Sequence, residues 1–454
     1  MVASLQEYRL EDCMDAIIDY RGKTPKKTDF GIPLITAKII KSGRVQPITE
    51  YIAEDDYDSW MRRGIPQSGD IVLTTEAPLG EVAQLDDRKI ALAQRVITLR
   101  GKQGLLNNDY LKYLLLSRDV QHQLDGRGTG TTVKGIKQSE LREIILKFPD
   151  YQAQKNIAHI LKTLDDKIEL NRQTNQTLEK MAQALFKSWF VDFNPVIDNA
   201  LAAGTNISDF PEPLQKRAKL RKTVQQSAEA KKLPEGLPQE IRKLFPSEFE
   251  ESELGWVPKG WDTVSVSKAV QVNPRTTLPK GTVAKFADMK AVPTSGYMID
   301  EIVEKGYKGG AKFIASDVLL ARITPCLQNG KTALVDFLSE KEVGFGSTEF
   351  IVLRQSGNVN YPFIACLARE ENFRNHCIQS MVGSSGRQRV QNACFDDYYL
   401  ALPDNESILE NFRELTSPKF NKMSLNKTEI SNLSKLRDVL LPKLMSGELD
   451  ISNN

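Results

Sequence analysis

The chain has 454 residues, 61 basic and 59 acidic side chains, and a composition that is 26% charged and 40% hydrophobic. At roughly 150 residues per domain this is about three foldable units' worth of chain. A net charge of +2 excludes a polycation that coats DNA with its whole surface, while leaving room for local basic patches. No apolar run approaches the roughly 18 residues of a membrane-spanning helix. Glu7, Glu11, Asp12 and Asp15 do not suit a signal peptide. A cytoplasmic protein without a membrane partner is expected. The five cysteines (Cys13, Cys326, Cys366, Cys377, Cys394) form no CxxC pair, and only His122, His159 and His376 stand beside them. A disulfide framework, a zinc site or any other metal site is therefore not expected.

From its first strand onward the chain repeats itself. "YRLEDCMDAIIDYRGKTPKK" near the start is echoed by "WDTVSVSKAVQVNPRTTLPKG" from Trp261, with Pro25 and Pro279 at matching offsets. "ITAKIIKSG" with Lys38 answers "ADMKAVPTSG" with Lys290. "GDIVLTTEAPLGEVAQL" answers "SDVLLARITPCLQNGKTALV", "QRVITLR" answers "EFIVLR", and "ILKFPD" answers "LALPD". Five matching segments and the Pro25–Pro279 correspondence, six matches in order at separations of about 247 to 254 residues, indicate two related halves. Ile71-Val72-Leu73 and Val318-Leu319-Leu320 predict strands, and Leu111 to Leu116 and Phe363 to Leu367 predict short helices. Two mixed α+β domains are expected, over 1–150 and 256–404.

Behind the first domain the 3-4 spacing of Ile157, Leu161, Leu164, Ile168, Asn171, Asn175, Leu178, Ala182, Leu185 and Trp189 predicts a coiled-coil helix over 151–193. The second half, 405–454, offers Leu409, Phe412, Thr416, Lys419, Met423, Asn426, Ile430, Leu433, Arg437, Leu440 and Leu444. Pro418 is expected to kink or break this copy, and Lys419 and Arg437 to spoil its seam. Asn171 and Asn426 hold corresponding seam positions, where a buried Asn fixes register or, alternatively, the helices splay and it faces water. The simplest arrangement packs the two helices antiparallel, giving a pseudo-two-fold molecule with a domain at each end. Residues 194–255, with Pro195, Pro211, Pro213, Pro234, Pro238 and Pro246, are expected to link the halves. Their basic run "QKRAKLRK" at 215–222 suits either a solvated helix face or contact with phosphate or a partner.

Three catalytic patterns fail on inspection. Gly330-Lys331-Thr332 ends like a Walker A loop, but Pro325 stands where the first glycine belongs; Asn329-Gly330 suits a turn between strands instead. Asp150 followed by Asp165-Asp166-Lys167 resembles a metal-dependent nuclease spacing, yet the second cluster lies in the heptad helix, expected on its solvent side. Asn194-Pro195-Val196 and Asn273-Pro274-Arg275 lack the second proline and aromatic of an adenine-methylating clamp. No catalytic residues are assigned.

What remains is duplicated, polar and rich in glycine. "DGRGTGTTVKGIKQSEL" (125–141) and "VGSSGRQRVQNACF" (382–395) stand just before the last strand of each domain. Arg127, Thr131, Thr132, Lys134 and Lys137 in the first, and Arg387, Gln388 and Arg389 in the second, are candidate DNA contacts. Arg and Gln suit guanine and adenine edges, and Lys suits phosphate; ordinary solvated loops are the alternative. The strand-edge residues Thr74, Thr75, Arg322 and Thr324 form a second candidate surface, and Lys38, Lys290 and Lys331 complete the set.

"GDIVLTTEAPLGEVA" with "ARITPCLQNGKTALV", the helix "ALFKSWFVDFNPV", "SELGWVPKGW" and "GSSGRQRV" together resemble the specificity subunit of type I restriction-modification systems, over essentially the whole chain. The resemblance implies two target-recognition domains held apart by two antiparallel helices that dock two modification subunits. Each domain would read half of a bipartite site on double-stranded DNA, with the helices setting the unread gap. Adenine methylation and cleavage would belong to the modification and restriction subunits, with AdoMet, ATP and Mg²⁺ bound there and no cofactor on this chain. The expected function is thus a non-catalytic specificity subunit. The alternatives are a self-contained DNA methyltransferase or nuclease, and a protein-only coiled-coil scaffold.

Overall fold

A computed structural model describes residues 5–20, 24–226, 237–384 and 386–449. Arg21 to Lys23 of the opening motif, Pro234 and Ser385 lie outside the described residues. The fold is α+β. The chain divides into two compact units: one runs up to Leu170 and takes in the chain from Ile430 onward, the other spans Asn171–Glu429.

In the first unit a four-stranded sheet has the order Met14–Asp19, Val96–Gly101, Ile71–Thr75, Leu79–Gln84. Every residue of Ile71–Thr75 is buried, as expected for a continuous apolar run at the sheet centre. A smaller sheet pairs Ile32–Ile35 in parallel with Ala91–Leu92, and Gln6–Arg9 pairs with Ile145–Phe148. The second unit repeats the plan. Its sheet order is Gln271–Val272, Phe350–Arg354, Val318–Ala321, Thr332–Leu334. Val283–Ala287 runs parallel to Val343–Gly346, and Trp261–Ser265 pairs with Tyr399–Pro403. Each unit follows its sheet with two short helices, Asn108–Leu116 and Arg118–Arg127 or Tyr361–Arg369 and Glu371–Gln379.

The duplication extends to the polar groups that lock each sheet. Asp70 is almost fully buried and takes both ends of the Arg100 guanidinium at 2.8 Å, while accepting from the Gln67 amide. Asp317 is equally buried, takes Arg354 at 2.7 Å twice and accepts from the Ile314 amide. The first short helix is capped by Asn107 in one unit and by Asn360 in the other. Removing one member of a buried pair strands the other charge, at a cost of about 3–5 kcal/mol. Asp317→Ala is therefore expected to lower the urea midpoint markedly. Tryptophan fluorescence follows it, since three of the four tryptophans, Trp189, Trp256 and Trp261, lie in the second unit and only Trp60 in the first; an unchanged midpoint would show that the pair is dispensable.

The first long helix runs Tyr151–Phe186 and continues through a π turn over Lys187–Val191. The second runs Glu406–Met445 without interruption, so Pro418 does not break it. Pro418 is exposed, where water can take the carbonyl that loses its partner, while Phe412, Thr416, Phe420 and Met423 are buried on the opposite face. Tertiary packing of that face outweighs the local penalty. In the first unit Ile157, Ala158 and Leu161 share a core with Leu444 and Met445, with Leu440 packed against it, and Asp165 meets Arg437 at 2.8 Å, so the two helices run antiparallel there. Leu164 and Leu433 are half-buried and Ile168 is buried.

Arg437 therefore does not spoil the seam but pairs within it. Asp165, expected on the solvent side, points inward between Lys112, Tyr113 and Arg437. Burial opposes its charged form, but Lys112 and Arg437 outweigh that and hold its carboxyl below the ordinary value. Lys419 is half-buried and donates to the Leu415 carbonyl of its own helix, and burial lowers its ammonium pKa. In the second unit Asn171 and Asn426 are both buried. Asn171 donates to Glu429 at 2.9 Å, Asn426 to Asn175 at 2.8 Å, and Asn175 to the Met423 carbonyl at 3.1 Å. These bonds also run antiparallel and suit a register device. Leu178 and Leu185 pack against the second unit's main core, and Ile430 is half-buried in the first unit.

The stretch expected to link the halves is itself folded. Asn194–Ala202 and Glu212–Gln226 are helices that bury Ile197, Ala200, Phe210 and Ala218 in a small core, and Phe249–Ser252 pairs with Gly255–Pro258. The basic run lies on the second of these helices. Arg217 pairs with Asp192 and Arg221 with Asp198, whereas Lys216, Lys219 and Lys222 are exposed.

Candidate nucleic-acid interface

Each Gly-rich stretch closes into a small loop on the end of a central strand. In the first unit Thr129 and Gly135 exchange backbone hydrogen bonds at 2.8 and 2.9 Å, and the Ile136 amide donates to the Thr75 carbonyl at 2.9 Å. Gly130 needs to be glycine: its φ is +115°, and a Cβ would stand 2.2 Å from the Val133 carbonyl. In the second unit Val382 and Arg389 exchange bonds at 3.0 and 2.9 Å, and the Val390 amide donates to the Arg322 carbonyl at 2.9 Å. The two loops are thus tied to equivalent backbone positions, Thr75 and Arg322, as the duplication predicts.

At the first loop Thr131, Thr132, Lys134 and Lys137 are exposed and Arg127 half-exposed. Lys134 pairs with Asp125 at 2.6 Å and Arg127 with Glu140 at 3.2 Å. Below the tip lies an open hollow of about 430 Å³ lined by Thr75, Glu76, Gln94, Arg95, Thr129 and Lys137 among others. At the second loop Arg387 and Arg389 are exposed and Gln388 half-exposed. The Gln388 amide donates to the Thr324 hydroxyl at 3.0 Å, and the Thr324 amide to the Gln388 carbonyl at 3.1 Å. Arg322 donates to the Val390 carbonyl at 3.0 Å. Thr324 and Arg322 therefore hold the loop and leave its own side chains to meet a ligand.

Other expected contacts are displaced by the fold. Thr74 and Thr75 are buried, and the Thr74 hydroxyl accepts from the Glu81 amide at 2.9 Å, so neither faces a duplex. They occupy a central strand, where alternate residues serve both faces of the sheet, and only the end of it, at Thr75, touches the floor of the hollow. Lys331 is half-buried and spends its ammonium on the Met289 carbonyl at 2.6 Å. Lys38 and Lys290 are exposed just past the ends of the parallel strands Ile32–Ile35 and Val283–Ala287. Because the Ala93 amide donates to the Ile35 carbonyl, Lys38 emerges at the same end of its sheet as Gln94 and Arg95.

Sequence reasoning missed four residues at these edges: Glu76, Gln94, Arg95 and Glu349. Arg95 Nε lies 2.6 Å from Glu76. Arg389 grips Glu349 through Nε and Nη2 at 2.6 to 3.0 Å, and this holds the Glu349 carboxyl below its ordinary value although burial works the other way. Gln94-Arg95 opens the very segment "QRVITLR" that marks the repeat, and its polar pair before an apolar strand was the available signal.

The apparent nuclease pair has structural work instead. Asp150 accepts from the Gln152 and Ala153 amides and caps the first long helix, and Asp165 sits in its ion-pair group. Among the described residues no group of three or more His, Cys, Asp or Glu could hold a metal ion, and no helix is long and apolar enough to cross a membrane.

Residues 5–180 match the family described as type I restriction modification DNA specificity domain. The chain is 26% identical over 385 residues to the type I restriction enzyme MjaIX specificity subunit of Methanocaldococcus jannaschii, covering 84% of this chain and 78% of that protein. It is 26% identical over 374 residues to the HindI specificity subunit of Haemophilus influenzae, covering 79% and 81%. In fold it is similar to the S subunit of a type I restriction-modification system from M. genitalium, with a TM-score of 0.51 at 14% identity over 97% of this chain and 96% of that one.

Proposed function

The chain belongs to the specificity subunits of type I restriction enzymes, and on that premise we propose that it is a non-catalytic reader of a bipartite DNA site. The observation that carries this reading is the pair of equivalent loops, each tied to the end of a central strand in a domain of the same topology. Each domain reads one half-site with its loop and strand edge. The two long helices hold the domains at a set spacing and dock two modification subunits, which methylate adenine, and restriction subunits that cleave. AdoMet, ATP and Mg²⁺ bind on those partners, and the assembly works in the cytoplasm. The two carboxylates that most resembled a nuclease pair, Asp150 and Asp165, are spent on a helix cap and an ion pair, which favours this reading over a self-contained nuclease.

A footprint of the assembled complex tests the reading. Two short protected segments with unread bases between them are expected, and affinity should fall steeply as salt rises because exposed Lys and Arg release counterions from phosphate. Protection without sequence preference, or one continuous read segment, would contradict it. Incubating the lone chain with AdoMet or Mg²⁺ and target DNA separates the alternative of a self-contained enzyme, for which turnover would be seen.

A further inference from the structure

We propose that Arg95 and Arg389 each read a guanine in the major groove, with Glu76 and Glu349 as positioning residues that hold the guanidinium by Nε and leave its outer edge free. This rests on the DNA-reading function proposed above and names the chemistry of two contacts within it. The first observation is position. The Thr75 amide donates to the Arg95 carbonyl, and the Arg322 amide to the Glu349 carbonyl, so Arg95 and Glu349 occupy the same backbone site in the two repeats. Glu76 and Ile323 are likewise equivalent, since they bridge to Gly135 and Arg389 at the base of the two loops. Each unit therefore builds an Arg–Glu pair on the same edge from different members of the frame. The first puts arginine on the strand side and its glutamate beside the loop; the second puts arginine on the loop and its glutamate on the strand side.

The second observation is geometry. All four side chains keep contact with solvent, with Arg95 50% and Arg389 45% exposed. Pairs this accessible add little stability, so fixing the fold does not account for both. Glu76 forms an ion pair with Arg95 on its Nε side, and the terminal Nη1 and Nη2 take no part in that closest contact. Glu349 takes Nε and the near side of Nη2 of Arg389, which leaves Nη1 and the outer Nη2 hydrogen. An end-on fork of two N–H groups matches the O6 and N7 acceptors of guanine, and a fork already held in place loses less side-chain freedom on binding. The hollow beside Arg95, with Gln94 and Lys137 on its wall, supplies neighbouring donors for an adjacent base and a phosphate.

The test uses the chain assembled with its modification subunits and a randomised duplex library. The wild-type complex should select two half-sites, each with at least one fixed G·C pair. Arg389→Ala should make one such pair degenerate in one half-site, with a roughly tenfold to hundredfold loss of preference there, and leave the other half-site intact. Arg95→Ala should do the same in the opposite half-site. Glu349→Gln and Glu76→Gln should weaken preference at the same positions. Arg389→Lys, which keeps the charge and a donor but not the preorganised fork, should fall between wild type and the alanine variant at that position. Retention of the untouched half-site shows that each variant is folded. If the two alanine variants still select the wild-type site, the guanine assignment is wrong while the bipartite reading stands. If the wild-type complex selects nothing, the reading itself fails, and the assignment with it.

Discussion

Exchanging residues 256–404 for the corresponding domain of another specificity subunit is expected to replace one half-site of the DNA target and leave the other unchanged. The segment carries its own means of folding. Its sheet, the buried Asp317–Arg354 lock, the Asn360 cap and the loop from Val382 to Val390 all lie inside the exchanged stretch. Its interior is drawn chiefly from its own residues, with the aromatic end of the first long helix (Phe186, Trp189, Phe190) and Phe412 closing one side. A donor domain must therefore fit that aromatic surface, which sets the practical limits of the graft. Mapping methylated adenines in cells carrying the chimera gives the answer. A new half-site on one side is the expected result; the original pair of half-sites would mean that recognition resides elsewhere.

The second large effect concerns the length of the gap. Inserting seven residues into each long helix, at matching seam positions, should lengthen the tolerated gap without altering either half-site. Seven residues are two helical turns and add about 10.5 Å. They return the seam almost to its starting face, so the apolar stripe and the pairing of Asn175 with Asn426 can be preserved on either side of the insertion. At about 3.4 Å per base pair this extension corresponds to at most about three additional base pairs. Insertion into one helix alone should instead break register: the seam keeps its face but slides by about two turns, so that partners such as Asn175 and Asn426 no longer meet. A double insertion that left the gap unchanged would overturn the role of the helices as a ruler.

Much of this architecture was legible in the sequence because repetition is robust to local error. Matches such as "QRVITLR" with "EFIVLR" predicted related halves, and the structure adds that the matching terminal arginines, Arg100 and Arg354, close equivalent buried ion pairs. The 3-4 spacing located both long helices because it reports a buried face directly. Reading Pro418 and Arg437 one residue at a time misled. Local propensity knows nothing of the core opposite Pro418, nor of Asp165, which is 272 residues away from Arg437 along the chain. The same blindness explains the candidate contacts. Thr74 and Thr75 look like polar surface in sequence but lie inside a central strand. Arg95 and Glu76 gain their meaning only when two strand ends and a loop come together. Glycine-rich loops were visible as composition; what ties them down was not.

The most direct measurement of the central claim is a genome-wide map of N6-methyladenine in cells with and without this gene. The bipartite-reader account predicts that one motif vanishes with the gene, made of two short specific segments separated by a fixed run of unspecified bases. Methylation that persists unchanged, or a lost motif that is continuous rather than split, would contradict it.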